Sequence, residues 1–256
     1  KQGINVPEII ATDSKTGFFC LSDLGDVLFS EIVNSENMIE QYRKTINLLP
    51  AISNISFEDK ESLPIYDRAF IELELAIFQE WLLVEHLGIK LNSVELQQLS
   101  ECFECLIDSA LSQPQVVMHR DYHSRNIMML ADNKLGIIDF QDAVQGPITY
   151  DVVSLLRDCY LRWPQHNVDV LFEYFCQTIT KHYLLTSIDK SQWRRWFDLM
   201  GLQRYIKVAG IFSRLFHRDG KSNYLKDIPL TLKYIVDVSQ SYPELLFLHE
   251  LVKERV

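Results

Sequence analysis

The clearest periodic pattern in the chain lies between Tyr66 and Leu87. Apolar side chains recur there at spacings of three and four, which is typical of one buried face of an α-helix. These positions are Phe70, Leu73, Ile77, Trp81 and Val84. Gly88 follows directly, as expected for a residue that ends a helix. The pattern predicts a helix over 66–87 with this face in the core.

A second helical pattern covers Ser93–Leu111, and Ser93 is its candidate N-cap. Its apolar positions are Leu96, Leu99, Phe103, Leu106 and Ala110. After Pro147 almost everything has a helical pattern. Helices are predicted over 152–162, 168–184, 191–216 and 228–240, with a short helical tail after Pro243.

Strand patterns are confined to two regions. The first 33 residues are predicted to be extended, with Gly17–Asp23 as their best strand. In the middle of the chain, Gln115–Met118 is a strand candidate, and Asn126–Leu130 and Leu135–Phe140 flank a polar tip as in a β-hairpin. The predicted class is therefore α+β, mainly helical with a small β-hairpin insert.

Composition limits the possible functions. The chain has 256 residues and a net charge of −10, which argues against a nucleic-acid-binding protein. No apolar run reaches the length of a membrane span, so no membrane partner is predicted. The nine glycines form neither a G-x-G pair nor a Walker motif, so the chain carries no dinucleotide fingerprint and no P-loop.

The polar residues concentrate in the hairpin region. His119, Asp121 and Asn126 form the pattern H-x-D-x-x-x-x-N, and Asp139 ends the apolar run of the following strand. This is the spacing of a kinase catalytic loop and its metal-binding aspartate. A hairpin brings the loop before its first strand close to the loop after its second strand, so Asp121, Asn126 and Asp139 are predicted to converge.

The chemistry explains these residue types. Phosphoryl transfer depends on positioning and charge neutralisation. Asp121 would accept the proton of an attacking hydroxyl, while Asn126 and Asp139 would supply the oxygen ligands that Mg²⁺ prefers. His119 and His123 are interpreted as residues that hold the loop. For Arg120 and Arg125, a solvated position and a contact with substrate remain equally open.

The sequence HRDYHSRN at 119–126 resembles the aminoglycoside phosphotransferase and choline kinase-like superfamily. Within it, the chain is similar to the bacterial anomeric kinases of N-acetylmuramate and N-acetylglucosamine. The similarity to this branch is carried by residues 67–81, 138–143, 146–160, 202–204 and 216–221.

The resemblance implies a protein-kinase-like fold. Residues 1–25 would be the remnant of an N-lobe and its hinge, and residues 26–256 would form a helical C-lobe. Because no strand lysine or phosphate-covering loop is found, most of the N-lobe is expected to be absent from this chain. Such a chain is expected to bind ATP weakly and to transfer phosphate poorly.

The resemblance also implies roles for individual residues. Asp121 would be catalytic, with His119, His123 and Asp151 supporting it, and Asn126 and Asp139 would hold Mg²⁺. Backbone groups of Ser22, Asp23 and Leu24 would meet the adenine of ATP. The candidates for contact with the sugar are Arg125, Asp142 and Arg157.

The implied reaction is transfer of phosphate from ATP to the anomeric hydroxyl of an N-acetylated amino sugar, in cell-wall sugar recycling in a bacterial cytoplasm. The protein is expected to be a monomer or a weak dimer. One alternative is an aminoglycoside or amino-alcohol substrate, although Arg125 and Arg157 count against a cation. Another is a kinase-like binding module without activity.

Overall fold

A computed structural model of the chain describes residues 3–55, 63–183, 185 and 188–256. The chain divides into two compact units. Unit 1 comprises Lys1–Pro64 and Val116–Asp189, and unit 2 comprises Ile65–Gln115 and Lys190–Val256. Each unit therefore combines two separate stretches of sequence.

The strands are short and pair two by two. They are β1 Ile9–Asp13, β2 Phe18–Leu21, β3 Gln115–Met118, β4 Ile127–Met129, β5 Leu135–Ile137 and β6 Val144–Pro147. β1 pairs with β2 and β4 with β5, both antiparallel, and β3 pairs with β6. The predicted strands at 17–23 and 115–118 and the predicted hairpin are confirmed, whereas β6 was not predicted.

The helices make up most of unit 2 and a smaller share of unit 1. They are α1 Phe29–Ile32, α2 Met38–Ile46, α3 Leu49–Ser53, α4 Arg68–Ile77, α5 Ser93–Leu111, α6 Tyr150–Leu156, α7 Gln165–Tyr183, α8 Lys190–Asp219, α9 Ile228–Ser239 and α10 Leu246–Arg255. A π-helical segment, Phe78–His86, continues α4. Short 3₁₀ turns lie at Ala131–Asn133, Ser222–Asp227 and Pro243–Leu245.

In unit 1 the β4–β5 hairpin is the framework of the loop that carries the polar motif. Asn5 bridges to Gly136 on one side of the hairpin, and Leu28 bridges to Met128 on the other. The α1 helix is held against the same loop because Ser30 N donates to Ser124 O at 3.1 Å. The prediction of strand through residue 33 was therefore wrong at α1, where tertiary contacts fix a single helical turn.

In unit 2 the predicted helix over 66–87 exists, but its predicted buried face was wrong. Leu73 and Val84 are exposed, and the buried side chains are Ile71, Glu74, Leu75, Phe78, Leu82 and Leu83. The helix is apolar on more than one side. In addition, the π-helical turns, such as Leu87 N to Leu82 O at 3.0 Å, shift the phase of the pattern.

Other helix boundaries also differ from the prediction. Asn92, and not Ser93, caps α5: its Oδ1 accepts from Val94 N and Glu95 N. The predicted helix over 152–162 ends at Leu156, because the chain then turns toward the polar loop. Residue 184, the predicted end of the preceding helix α7, lies outside the described residues. Gly88 does end its helix, with a φ of 66° that favours glycine.

A buried polar cluster organises unit 2. Glu74 accepts from Tyr66 Oη at 2.6 Å and Gln203 Nε2 at 3.0 Å, and it pairs with Lys207 Nζ at 2.6 Å. Burial opposes ionisation of Glu74, but Lys207 and these hydrogen bonds outweigh it, so the pKa of this carboxyl is lowered. The cluster ties α4 to α8.

Candidate active site

The structure brings Asp121, Asn126 and Asp139 together. Asn126 Nδ2 donates to the backbone carbonyl of Asp121 at 3.0 Å and to Asp139 Oδ2 at 3.2 Å. The hairpin explains this, because Ile138 N donates to Asn126 O at 3.1 Å and so closes the two ends of β4 and β5. The predicted convergence of these three residues is therefore seen in the geometry.

The backbone of the loop that carries Asp121 is held by the side chains of Asp151 and His119. Asp151, in the first turn of α6, accepts from His119 N at 2.7 Å and from Arg120 N at 3.1 Å. His119 Nε2 donates to Ile138 O at 3.0 Å, so this ring connects the loop to the residue before Asp139. Asp151 therefore contacts the backbone of this loop and His119 that of Ile138, and the supporting roles of both residues stay a prediction.

Two residues of the loop region have strained backbones. Arg120 has a φ of 72° and Asp139 a φ of 67°, in the left-handed region that side chains other than glycine rarely adopt. Such a conformation costs about 1–3 kcal/mol and persists only where the surroundings impose it, most often at functional sites. Here Asp151 holds the amide of Arg120, and His119 holds the carbonyl just before Asp139.

Tyr122 anchors the middle of the loop in the core of unit 1. Its side chain is fully buried, and its hydroxyl donates to Thr45 O at 2.8 Å. Burial, with a smaller contribution from Asp151, raises the pKa of Tyr122 well above its ordinary value of 10.0. The phenol therefore remains a hydrogen-bond donor at any physiological pH.

The oxygen atoms of Asn126 and Asp139 fit a hard divalent cation. Asn126 uses its amide nitrogen for the contacts within the loop, which leaves its amide oxygen for a ligand. Gln141 Nε2 donates to Asp139 Oδ1 at 2.6 Å and orients the carboxylate. The described residues contain no group of three or more His, Cys, Asp or Glu that could hold a metal, so a cation here would need further oxygen ligands from substrate or water.

His123 and Arg125 both face Tyr160. The His123 ring meets the Tyr160 ring edge-on, with 5.3 Å between centroids, and Arg125 Cζ lies 3.8 Å from the centroid of the same ring. Arg125 is exposed, whereas Arg157 is buried, with 6% of its surface exposed. Asp142 is exposed, and its carbonyl accepts from Arg120 Nη1 at 3.4 Å. Of the three sugar-contact candidates, Arg157 is therefore the one withdrawn into the core.

The predicted adenine-contacting stretch follows β2. Ser22 uses both of its groups for the strand pair: its N–H donates to Glu8 O at 2.8 Å, and its Oγ accepts from Glu8 N at 2.8 Å. Asp23 accepts from Gly25 N, which forms a tight turn. The side chain of Leu24 lies over Gly136 in β5, where an added Cβ would come within 3.0 Å of it. The stretch is thus fixed to the same hairpin as Asp139.

Sequence reasoning missed the role of Asp158. This buried carboxylate accepts from Ser124 N at 3.0 Å and Ser124 Oγ at 2.5 Å through Oδ2, and from Tyr160 N at 2.9 Å through Oδ1. In the sequence, Asp158 is marked only as a charged residue in apolar surroundings, for which an ion pair is the commoner explanation. Instead, Asp158 holds the loop between Asp121 and Asn126 by hydrogen bonds.

The sequence profile of the phosphotransferase enzyme family matches residues 1–185. The chain belongs to this family. It is 38% identical over 250 residues to the N-acetylmuramate/N-acetylglucosamine kinase of Pseudomonas aeruginosa, covering 98% of this chain and 73% of that protein. It is 39% identical over 258 residues to the kinase of the same name from Neisseria meningitidis serogroup B, covering 99% of this chain and 76% of that protein.

Solved structures of low sequence identity share the fold. The choline kinase of Cryptosporidium parvum matches with a TM-score of 0.63 at 11% identity, covering 97% of this chain and 78% of the other. The ADP-bound aminoglycoside phosphotransferase APH(2″)-Ib matches with a TM-score of 0.57 at 13% identity, covering 91% and 76%. The predicted relationship to aminoglycoside phosphotransferases and choline kinases is thereby confirmed. The division at residue 25 and the absence of most of an N-lobe stay predictions.

Proposed function

We propose that the protein is a kinase that transfers phosphate from ATP to the anomeric hydroxyl of an N-acetylated amino sugar, N-acetylmuramate or N-acetylglucosamine. The observation that carries the proposal is the convergence of Asp121, Asn126 and Asp139 in a chain 38% identical to kinases named for these sugars. The use of ATP is consistent with a cytoplasmic reaction in cell-wall sugar recycling.

Asp121 is the proposed base. Its backbone carbonyl accepts from His123 N at 3.0 Å and from Asn126 Nδ2, so the residue is fixed in the loop. Among the described residues no hydrogen bond to its carboxylate is found, which leaves those oxygens to accept the proton of the attacking hydroxyl. A general base positioned in this way contributes about 10²–10⁴-fold to the rate.

Asn126 and Asp139 are the proposed ligands of Mg²⁺. When bound there, the cation would neutralise charge on the phosphates that are being transferred. Gln141 and Asn126 keep the Asp139 carboxylate oriented, and the strained backbone of Asp139 keeps it turned toward Asn126. His119, His123 and Asp151 are proposed to support the loop without touching the reacting atoms.

We propose that the nucleotide and the sugar bind on different sides of this loop. Asp23 and Leu24 are the better candidates for adenine, because Ser22 is already occupied by Glu8. Arg125 and Asp142 are exposed and are the proposed contacts of the sugar. Arg157 is buried, and we propose that it does not touch the sugar directly. An exposed arginine at the loop does not favour an aminoglycoside or another cationic substrate.

The test is ADP release measured with N-acetylmuramate, N-acetylglucosamine, an aminoglycoside and choline as acceptors. We expect turnover with the two sugars only. In Asp121→Asn, turnover should fall about 10²–10⁴-fold, while binding of ATP, measured separately, should be retained. Turnover confined to the aminoglycoside or choline would contradict the proposed substrate, and unchanged turnover in Asp121→Asn would contradict the role of Asp121.

A further inference from the structure

Arg125, like Arg43, lies on the ring of a tyrosine, but Arg125 belongs to the loop that carries Asp121 and Asn126. Its guanidinium lies on the ring of Tyr160, and within the described part of the chain no carboxylate comes within salt-bridge distance of it. Several other arginines face carboxylates, in the pairs Arg68–Glu104, Arg194–Asp198, Arg195–Glu244, Arg218–Asp219 and Arg255–Glu95. In a protein with a net charge of −10, Arg125 thus keeps an exposed, uncompensated cation.

The position of this cation is fixed from both ends. Asp158 accepts from Ser124, the residue just before Arg125, and its other oxygen accepts from Tyr160 N. One buried carboxylate therefore links the backbone next to Arg125 to the backbone of Tyr160, whose ring Arg125 contacts. The face of Tyr160 then restrains the guanidinium by a cation–π contact.

A restrained, exposed guanidinium is suited to bind a planar anion. It can donate two parallel hydrogen bonds to a carboxylate, and pre-organisation lowers the entropy cost of doing so. Arg125 directly precedes Asn126, whose amide touches both Asp121 and Asp139. An anion bound by Arg125 would thus lie beside the reacting groups.

The two sugars of the proposed function differ in this respect. N-acetylmuramate carries a lactyl carboxylate, whereas N-acetylglucosamine carries none. We propose that Arg125, positioned by Tyr160, binds the carboxylate of the acidic amino sugar and so determines the preference between the two substrates. This inference rests on the proposed function.

The experiment compares kcat/KM for the two sugars at saturating ATP. In Arg125→Gln, the ratio of kcat/KM for N-acetylmuramate to that for N-acetylglucosamine should fall about 10- to 100-fold, as expected for the loss of a charged hydrogen-bonded contact. The fall should come mainly from KM for N-acetylmuramate, since Arg125 is not assigned a part in proton transfer.

Variants of Tyr160 test its positioning role. Tyr160→Leu removes the ring face and should lower the same ratio several-fold, while Tyr160→Phe keeps the face and should retain the wild-type ratio. The matched control is Arg43→Gln, because Arg43 lies on the ring of Tyr174, 4.9 Å from its centroid, on helices outside the loop. This control should not change the ratio.

Three outcomes would overturn this proposal, and one of them would also overturn the proposed function. An unchanged ratio in Arg125→Gln would overturn this proposal alone, provided that the wild-type protein phosphorylates both sugars. Equal losses on both sugars together with a raised KM for ATP would also overturn it, because Arg125 would then serve a phosphate of the nucleotide. A wild-type protein inactive on both sugars would overturn the proposed function and this inference with it.

Discussion

Asp158 shows how much of the candidate site depends on a single buried side chain. Its carboxylate accepts three hydrogen bonds, two from Ser124 and one from Tyr160 N. Ser124 is fully buried, so its N–H and hydroxyl have no access to water as an alternative partner. The geometry of the loop between Asp121 and Asn126 therefore depends on this carboxylate.

We expect Asp158→Asn to impair catalysis as well as stability. The amide that replaces the carboxylate presents to Ser124 either an NH₂ donor or an oxygen that accepts more weakly. This should lower the unfolding free energy by about 1–3 kcal/mol. Because the loop loses its anchor, kcat should fall about tenfold or more, with KM for ATP little changed. Chemical denaturation and steady-state kinetics measure the two effects.

Two further variants separate positioning from general stability. Asp169→Asn changes an acid on α7 that accepts from Gln165 on the surface, and it should leave kcat unchanged. Ser124→Ala removes one of the donors to Asp158, so its effect should be less than additive with Asp158→Asn. Additive losses in kcat would show that Asp158 does not act through Ser124.

At the scale of residues, the sequence predicted which residue types form the site, but not every hydrogen-bond partner of those residues. Asp121, Asn126 and Asp139 follow a spacing that kinase chemistry requires, and the hairpin between them is short-range. The partner of Asp158 lies 34 residues away in sequence, and its carboxylate makes hydrogen bonds where an ion pair was expected. No local pattern encodes such a contact.

At the scale of elements, Gly210 determines how closely α8 can approach α4. A Cβ added at Gly210 would lie 2.6 Å from the backbone carbon of Ile77 and 2.7 Å from Phe78 N. These backbone atoms form the junction between α4 and the π-helical segment. Glycine at this position is therefore required for the packing of the two elements.

For Gly210→Ala, helix propensity and packing predict opposite changes in the free energy of unfolding. In an isolated helix alanine would add about 1 kcal/mol of stability. In this structure the clash with rigid backbone should instead reduce the unfolding free energy, by about 1–3 kcal/mol. The midpoint of urea denaturation decides the sign, and a stabilised variant would contradict the close contact.

The same junction explains why helix existence was easier to predict than helix faces. Periodicity located the helical stretch between residues 66 and 87, and Gly88 ended it. The π-helical turns begin at Phe78 and shift the phase after it, so that Val84 is exposed while Leu82 and Leu83 are buried. Leu73 precedes these turns and is exposed because α4 is apolar on more than one side. A wider turn has no signature in hydrophobic spacing alone.

At the scale of the whole molecule, the fold is that of the aminoglycoside phosphotransferases and choline kinases, yet the proposed substrate differs. The fold was implied by the resemblance carried by HRDYHSRN and the stretches named with it, whereas the spacing between this motif and Asp139 predicted only the hairpin. The choice between the two sugars could not be inferred from the sequence, because it depends on exposed groups such as Arg125. No helix among the described residues is long and apolar enough to cross a membrane.

The central claim is that the full-length protein phosphorylates an amino sugar at its anomeric position. The most direct measurement is proton-coupled ³¹P NMR of the product formed by the protein from ATP, Mg²⁺ and N-acetylglucosamine. We expect a new phosphomonoester signal split into a doublet by one proton, which a ¹H–³¹P correlation identifies as the anomeric proton by its chemical shift, and a far weaker signal at the same reaction time with Asp121→Asn. A signal split by two protons, which indicates phosphate at C6, or no new signal at all would contradict the claim.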